Sequence, residues 1–453
     1  MSGTPIDHWH ALLQTEDAPA LCASLAERMR SRRLHFGGRP LCPFLRPFFL
    51  DAADEHRVRH AAETLWTLGE RVARVAIDRA DLLSELALSE EEIRLARIDP
   101  GYATPSTAAR ADAFVLPDSL QFAEYNGESP AGAGYSQGLA EVFHDAPVTA
   151  RFREQFDARM YRPVEALLDA LMASYREWGG TASPPLMAIV DWREVPTFSE
   201  FEILRDAFTT LGVPTIIADP RELELESAPA GLYAAGRRID FVYRRVLIND
   251  IVARHQECRP LIAAYEQGAV CVANSLRCKI PHKKAFFAVL TDERHAHLFS
   301  AGERDVIRRH IPWTVLVEER RISRDGQSID LLPHLRRHRD RFVIKPNDEY
   351  GGTGVTLGWE TTESEWDAAI ARAIVERDRG WVAQEKINVR REPFPICETG
   401  GSVHVVMRDM LVDFAPYLFR GRLAGFLTRL SSTGLANVTS GGGQVPAFVV
   451  SRK

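Results

Sequence analysis

Residues 342–355, FVIKPNDEYGGTGV, bring a lysine and three glycines within reach of one another. The apolar run delivers Lys345, and a polar turn leads into Gly351, Gly352 and Gly354. Glycines let the main chain approach a polyphosphate so that several N–H groups point at its oxygens, and a strand-borne lysine adds a point charge. The competing reading is a flexible hairpin with a solvated lysine. A second cluster lies more than 200 residues earlier, in ARADAF (109–114) and FAEYNGESPAG (122–132). On a strand, Glu124 and Asn126 are two apart and share a face, as do Arg110 and Asp112. A carboxylate and an amide oxygen facing one way are hard ligands of the kind Mg²⁺ takes, with nucleotide phosphates completing its shell. A polar, solvent-facing pair of strands is the plainer alternative.

These residues need strands to hold them, and the pattern supplies them. Strands are expected over 112–117 and 120–126 around a Pro-Asp-Ser turn, then a helix near Ser136 to Phe143 and a long one over 149–178. Residues 5–95 read mainly as helix, with Leu21, Leu25, Met29 and Ala61, Leu65, Leu68 at helical spacing. After the loop GGTASPP (179–185), PLMAIVDW, SEFEILRDAFTTLG and PTIIAD make a βαβ unit, implying a parallel sheet with a right-handed crossover. Beyond 269 the chain mixes short strands and helices. The fold class is therefore α/β or α+β. Its expected divisions are a helical region (1–100), the carboxylate strands (101–180), a βαβ domain (181–268) and the lysine and glycine-loop segments (269–453).

At 453 residues with 45% hydrophobic content, the chain is long enough for two or three packed units. A net charge of −6 gives no support for a nucleic-acid or membrane partner, and no apolar stretch approaches a membrane span. The N-terminus does not read as a signal peptide, so a cytoplasmic location is expected. The six cysteines form no CxxC pair and read as small hydrophobes in a reducing compartment. His295 and His297 read as a solvent-facing pair. There is no GxxxxGK[ST] and no GxSxG; GAGYSQG (132–138) has the wrong spacing for a dinucleotide fingerprint. His338-Arg339-Asp340 and Asp413-Phe414 echo kinase motifs without the glycine loop and strand that should precede them.

Glu-x-Asn at a strand end, followed by Pro and Gly, resembles the magnesium motif that usually closes an ATP-grasp domain. The Lys-Pro strand running into YGGTG resembles that fold's phosphate loop, which normally comes first. The reversed order resembles the circularly permuted ATP-grasp proteins, including glutathionylspermidine synthetase-like ligases. RADAF resembles their Arg-x-Asp, KKAFFAVLTDE (283–293) their nucleotide-lysine helix, and VAQEKI (382–387) their adenine-facing hinge strand. VYRR (242–245) is similar to their central arginine pair, and 425–443 to their C-terminal stretch.

The resemblance implies an ATP-grasp fold in permuted order with a βαβ pre-grasp-like domain. It implies ATP and Mg²⁺, and an acyl phosphate formed on a small-molecule or peptide carboxylate and attacked by an amine. Asp112, Glu124 and Asn126 would hold the metal. Lys284, Lys345 and the Gly351, Gly352 and Gly354 loop would hold phosphates, with Gln384, Glu385, Lys386 and Ile387 around adenine. Arg110 would steady the phosphoryl group in flight, and Arg244, Arg245 and Arg429 are candidate anchors for an acidic substrate or phosphate, with an ordinary surface ion pair as the alternative for each. A phosphotransferase and an inactive nucleotide-binding relative are the alternatives. Two departures are visible: Lys283 stands where the pattern has Asn, and Asp348 and Glu349 must turn away if phosphate is to enter.

Overall fold

The strand Ala108–Val115 pairs on one side with Leu120–Asn126 and on the other with Ser402–Phe419, just over 300 positions away. This computed structural model describes residues 3–36, 39–227, 230–324, 326–400, 402–433 and 442–453. The sheet runs Gly443–Val445, Arg422–Ser431, Ser402–Phe419, Ala108–Val115, Leu120–Asn126, with Arg390–Gly400 on the remaining length of Ser402–Phe419. All its pairings are antiparallel. Arg420 and Gly421, both at positive φ, make the two-residue turn between its long strands.

A second antiparallel sheet has the order Thr314–Leu316, Trp381–Glu385, Phe342–Pro346, Thr356–Leu357. Phe342 and Ile344 pack with Leu335, Trp366 and Ile370 of the helices Leu331–Arg337 and Glu363–Val375. Strand alternation therefore leaves Val343 and Lys345 on the opposite face. The expected βαβ unit is present: Met187–Val190, helix Phe198–Thr210 and Thr215–Ala218, in a parallel sheet with Phe241–Arg244. That sheet also takes in Cys271–Ala273, past the expected division at 268.

The N-terminal part is helical as expected. Helix Ala52–Ala76 is capped by the Asp51 side chain on Asp54 N–H and buries Ala61, Leu65 and Leu68 in the core beneath the six-stranded sheet. Three expectations are corrected. The span 149–178 is not one helix: Pro147–Phe152 and Pro163–Glu177 flank a strand, Phe156–Arg159, that pairs with the C-terminal strand Ala447–Arg452. A long-range partner overrides local helical spacing there, and Pro163 starts the second helix. His295 is buried, with Nε2 2.8 Å from a Glu85 carboxylate oxygen, while His297 is exposed. Cys22 and Cys397 form a disulfide across a sequence separation of 375, joining helix Ala18–Ser31 to strand Arg390–Gly400. Cys42, Cys258, Cys271 and Cys278 are free and buried. No helix among the described residues is long and apolar enough to cross a membrane.

Thiol counting checks the disulfide. Four thiols should react in denaturant without reductant, and all six after reduction. Cys22→Ser should lower stability by about 2–4 kcal/mol, read from chemical denaturation.

Candidate active site

One face of Ala108–Val115 packs Ala109, Ala111 and Ala113 into the core, and the other carries Arg110, Asp112 and Phe114. Glu124 lies directly across from Asp112, and Asn126 across from Arg110. The register then slips: Ala113 faces Phe122, leaving Ala123 as an extra residue. Without that bulge, Phe122 and Glu124 would share a face. With it, Phe122 enters the core while Glu124 turns toward the cleft. Asn126 Nδ2 donates to Asp112 Oδ1 at 3.3 Å and to Glu124 Oε1 at 3.1 Å.

The hairpin from the far end of the chain adds two more charges. Asp413 and Arg429 are register partners, and the Arg429 guanidinium bonds both Asp413 and, at 2.5 Å, Asp112 Oδ2. Arg110 Nε donates to the other Asp112 oxygen at 2.9 Å and its Nη1 to the Ala131 carbonyl at 3.0 Å. Burial works to neutralise Asp112, but Arg110 and Arg429 overcome it and hold its carboxyl well below the usual range. Burial pushes the Asp413 carboxyl up to about 7, with Asp112 adding to the rise and Arg429 opposing it. Asp413 Oδ1 is buried with no hydrogen-bond partner.

Across a cleft of about 990 Å³, counted out to its open mouth, stands the four-stranded sheet. Lys345 Nζ donates to Gln384 Oε1 at 2.6 Å and to the Ala123 carbonyl at 3.3 Å. Burial pulls its ammonium down to about 8, with Lys284 adding to the fall and Glu124 and Asp112 opposing it. Lys284 Nζ donates to the Glu349 carbonyl at 2.7 Å and lies 3.4 Å from Glu124 Oε2. Gly351, Gly352 and Gly354 have φ of 66°, 80° and 73°, the left-handed region that glycine adopts without a Cβ penalty. Gly351 and Gly352 border the cleft; Gly354 packs beneath, where a Cβ would meet Pro346 Cγ at 2.8 Å. Apolar walls come from Val343, Val355, Leu357, Ile387 and the Trp359 ring. The lining carries three cations, Lys284, Lys345 and Arg429, beside five carboxylates, Asp112, Glu124, Glu349, Glu385 and Asp413, a mixture in which an anion and a hard cation could be held together.

The residues singled out from sequence divide as follows. Asp112, Glu124, Lys284, Lys345, Gly351, Gly352, Gln384, Glu385, Ile387 and Arg429 line this single cleft, and Asn126 bonds its carboxylates. Arg110 stands behind Asp112 and does not line the opening. Lys386 is exposed, its ammonium 4.4 Å from the Trp359 ring centre. Arg244 and Arg245 are neither cleft anchors nor surface ion pairs. Both are buried: Arg244 donates to the Val246 carbonyl at 2.6 Å, and Arg245 to the Pro130 carbonyl at 2.6 Å. Glu349 turns to Arg379 at 2.7 Å, and Asp348 turns away from the cleft to Lys279 and Lys283. Of the stretch 425–443, residues 434–441 lie outside the described residues. Asp413, noted from sequence only as part of a kinase-like echo, and Trp359 also line the cleft. A lone aspartate in the apolar run MLVDFAPYLF was the available signal for the first, because a buried carboxylate needs a partner; nothing local marked the second.

A model of circularly permuted ATP-grasp proteins, type 2, matches residues 121–431. The chain belongs to that family. It is similar to two proteins provisionally named glutamate–cysteine ligases. One is from Frankia casuarinae, 22% identical over 308 residues, and the other from Frankia alni, 25% identical over 303. Each match covers 64% of this chain and 32% of the relative, so the chain spans about a third of those relatives' length. Among solved structures, a glutathione synthetase-like effector from Globodera pallida shares the fold. Its TM-score is 0.60 at 11% identity, over 96% of this chain and 98% of that one.

The ion cluster of this permuted ATP-grasp site is testable by stability alone. Arg429→Met leaves Asp112 and Asp413 buried with Arg110 as the nearest compensation, and should cost about 3–5 kcal/mol in urea denaturation. Adding Asp413→Asn to that variant should recover part of the loss.

Proposed function

We propose that this protein is an ATP-dependent carboxylate–amine ligase that activates its carboxylate as an acyl phosphate and releases ADP. The observation that carries this reading is the shared cleft: paired carboxylates on one sheet face Lys345 and the glycine loop of the other sheet, with Lys284 reaching in from the start of helix Ala285–Thr291. That is what a polyphosphate with a hard cation requires, and the ligase names of the Frankia relatives support amide formation as the outcome.

Asp112, Glu124 and Asn126 fit Mg²⁺, because they are all potential hard oxygen donors and the Asn126 amide already lies within 3.3 Å of both carboxylates. Bound there, the ion would supply positive charge against the phosphate oxygens. Lys284 and Lys345 bind and orient the phosphates. Main-chain N–H groups of the 351–354 loop cover them, and the strand Trp381–Glu385 with Ile387 borders adenine. Arg110 acts through Asp112, and Arg429 is the cation that can turn from its carboxylates to the phosphoryl group. In the reaction, a substrate carboxylate oxygen bonds to the γ-phosphorus and the bond to ADP breaks. The amine nitrogen then bonds to the acyl carbon, loses a proton, and phosphate leaves.

Two measurements test this. With Mg²⁺-ATP, hydroxylamine and a panel of amino-acid and γ-glutamyl carboxylates, the protein should yield a hydroxamate together with ADP and phosphate. AMP and pyrophosphate would replace this route by adenylation, and phosphate transfer indifferent to any amine would make the protein a phosphotransferase. Secondly, Lys345→Met should weaken ATP binding about ten- to a hundredfold, since a charge-assisted contact is worth roughly 1.5–3 kcal/mol. The charged form of Lys345 binds phosphate, and its ammonium is held near 8 in the free protein. Affinity in the unsubstituted protein should therefore fall as pH rises through about 8, and calorimetry on Lys345→Met should show no such fall.

A further inference from the structure

An aspartate inside a phosphate-binding loop is electrostatically unfavourable unless something else needs it. Asp348 Oδ1 accepts from Lys279 Nζ at 2.8 Å and Oδ2 from Lys283 Nζ at 2.6 Å, both on the side of the loop away from the cleft. Lys279 also reaches Glu128 at 3.0 Å, Lys283 reaches Glu92 at 2.8 Å, and Arg244 lies 3.5 Å from Glu128. Three carboxylates and three cations thus balance in a buried group drawn from five separate segments of the chain. Glu128, His282 and Asp348 lie close enough to suggest a cation site, but the Lys279 ammonium already bonds Glu128 and Asp348.

This group fixes the stem of the glycine loop. Asn347 beside Asp348 is fully buried; its carbonyl accepts from Lys284 N–H at 3.0 Å, its side chain accepts from Ala285 N–H at 2.8 Å and donates to the Leu86 carbonyl at 2.9 Å. Two residues on, the Glu349 carbonyl holds the Lys284 ammonium in the cleft. From Tyr350, which is 71% exposed, the loop is open to solvent. Lys283 and Lys284, adjacent in sequence, are thereby divided: one clamps the stem from behind and the other faces the ligand.

We propose that Asp348 is a positioning residue for the nucleotide's β- and γ-phosphates, its clamp to Lys279 and Lys283 holding the loop stem and Lys284 in the place where those phosphates bind. This rests on the nucleotide reading of the cleft. A fixed stem lowers the ordering cost of closing the loop tip over a polyphosphate, and a released stem restores it. AMP, which lacks the outer phosphates, gains nothing from the clamp.

The test compares Mg²⁺-ATP, Mg²⁺-ADP and AMP binding by calorimetry on the full chain. Asp348→Asn should weaken ATP and ADP about tenfold or more while AMP changes less than about twofold; Asp348→Glu should recover most of that loss. Because the single variant leaves a buried cation in excess, Lys283→Gln/Asp348→Asn removes one charge of each sign. It should show the same selective loss with a melting temperature near that of the unsubstituted protein. Equal loss of ATP and AMP, or unchanged ATP affinity in the double variant, would overturn the proposal. An unsubstituted protein that binds neither ATP nor AMP would instead remove the nucleotide reading itself.

Discussion

The pairing of Ala108–Val115 with Ser402–Phe419 is the constraint on which the rest of the site depends. It closes a loop of just over 300 residues, so its formation carries a large but slowly growing entropic cost. In return it places Asp413 and Arg429, from the C-terminal hairpin, beside Asp112 from the N-terminal half. Arg429 then bonds both aspartates: with Arg110 it keeps Asp112 charged, while burial still lifts the Asp413 carboxyl to about 7. Family permutation acts here through one strand register.

Two sheets then share the work along one cleft. The six-stranded sheet presents carboxylates because a bulge at Ala123 reverses the alternation in mid-strand. The four-stranded sheet presents Lys345 because Phe342 and Ile344 are claimed by the helices behind it. Each functional side chain is therefore aimed by an apolar neighbour that must point the other way. The lysines sit in a mixed field of carboxylates and partial burial, which keeps them close to one another without leaving either unpartnered.

Behind the glycine loop, acids and bases pair among themselves. Asp348 does not face the cleft, because Lys279 and Lys283 hold it on the far side, and the Glu349 carboxylate is paired with Arg379. The same separation accounts for Arg244 and Arg245. They are engaged by main-chain carbonyls and by Glu128, in the wall between the parallel sheet and the carboxylate strands.

What the sequence determined by itself was local and periodic. Lys345 on an apolar strand before a glycine turn, Glu124 and Asn126 on one strand face, and the βαβ unit after 185 all follow from spacing, because side-chain direction repeats every two residues in a strand. The order of motifs carried the permuted architecture, since it survives without any knowledge of contacts. What only the tertiary structure decided concerns partners far apart in the chain. Phe156–Arg159 became a strand because the C-terminal strand was there to pair with it. Cys22 found Cys397, Asp413 found Arg429, and Arg244 and Arg245 were buried against main-chain carbonyls. A buried charge or thiol is explained by its neighbour, and when that neighbour lies hundreds of residues away, spacing holds no trace of it.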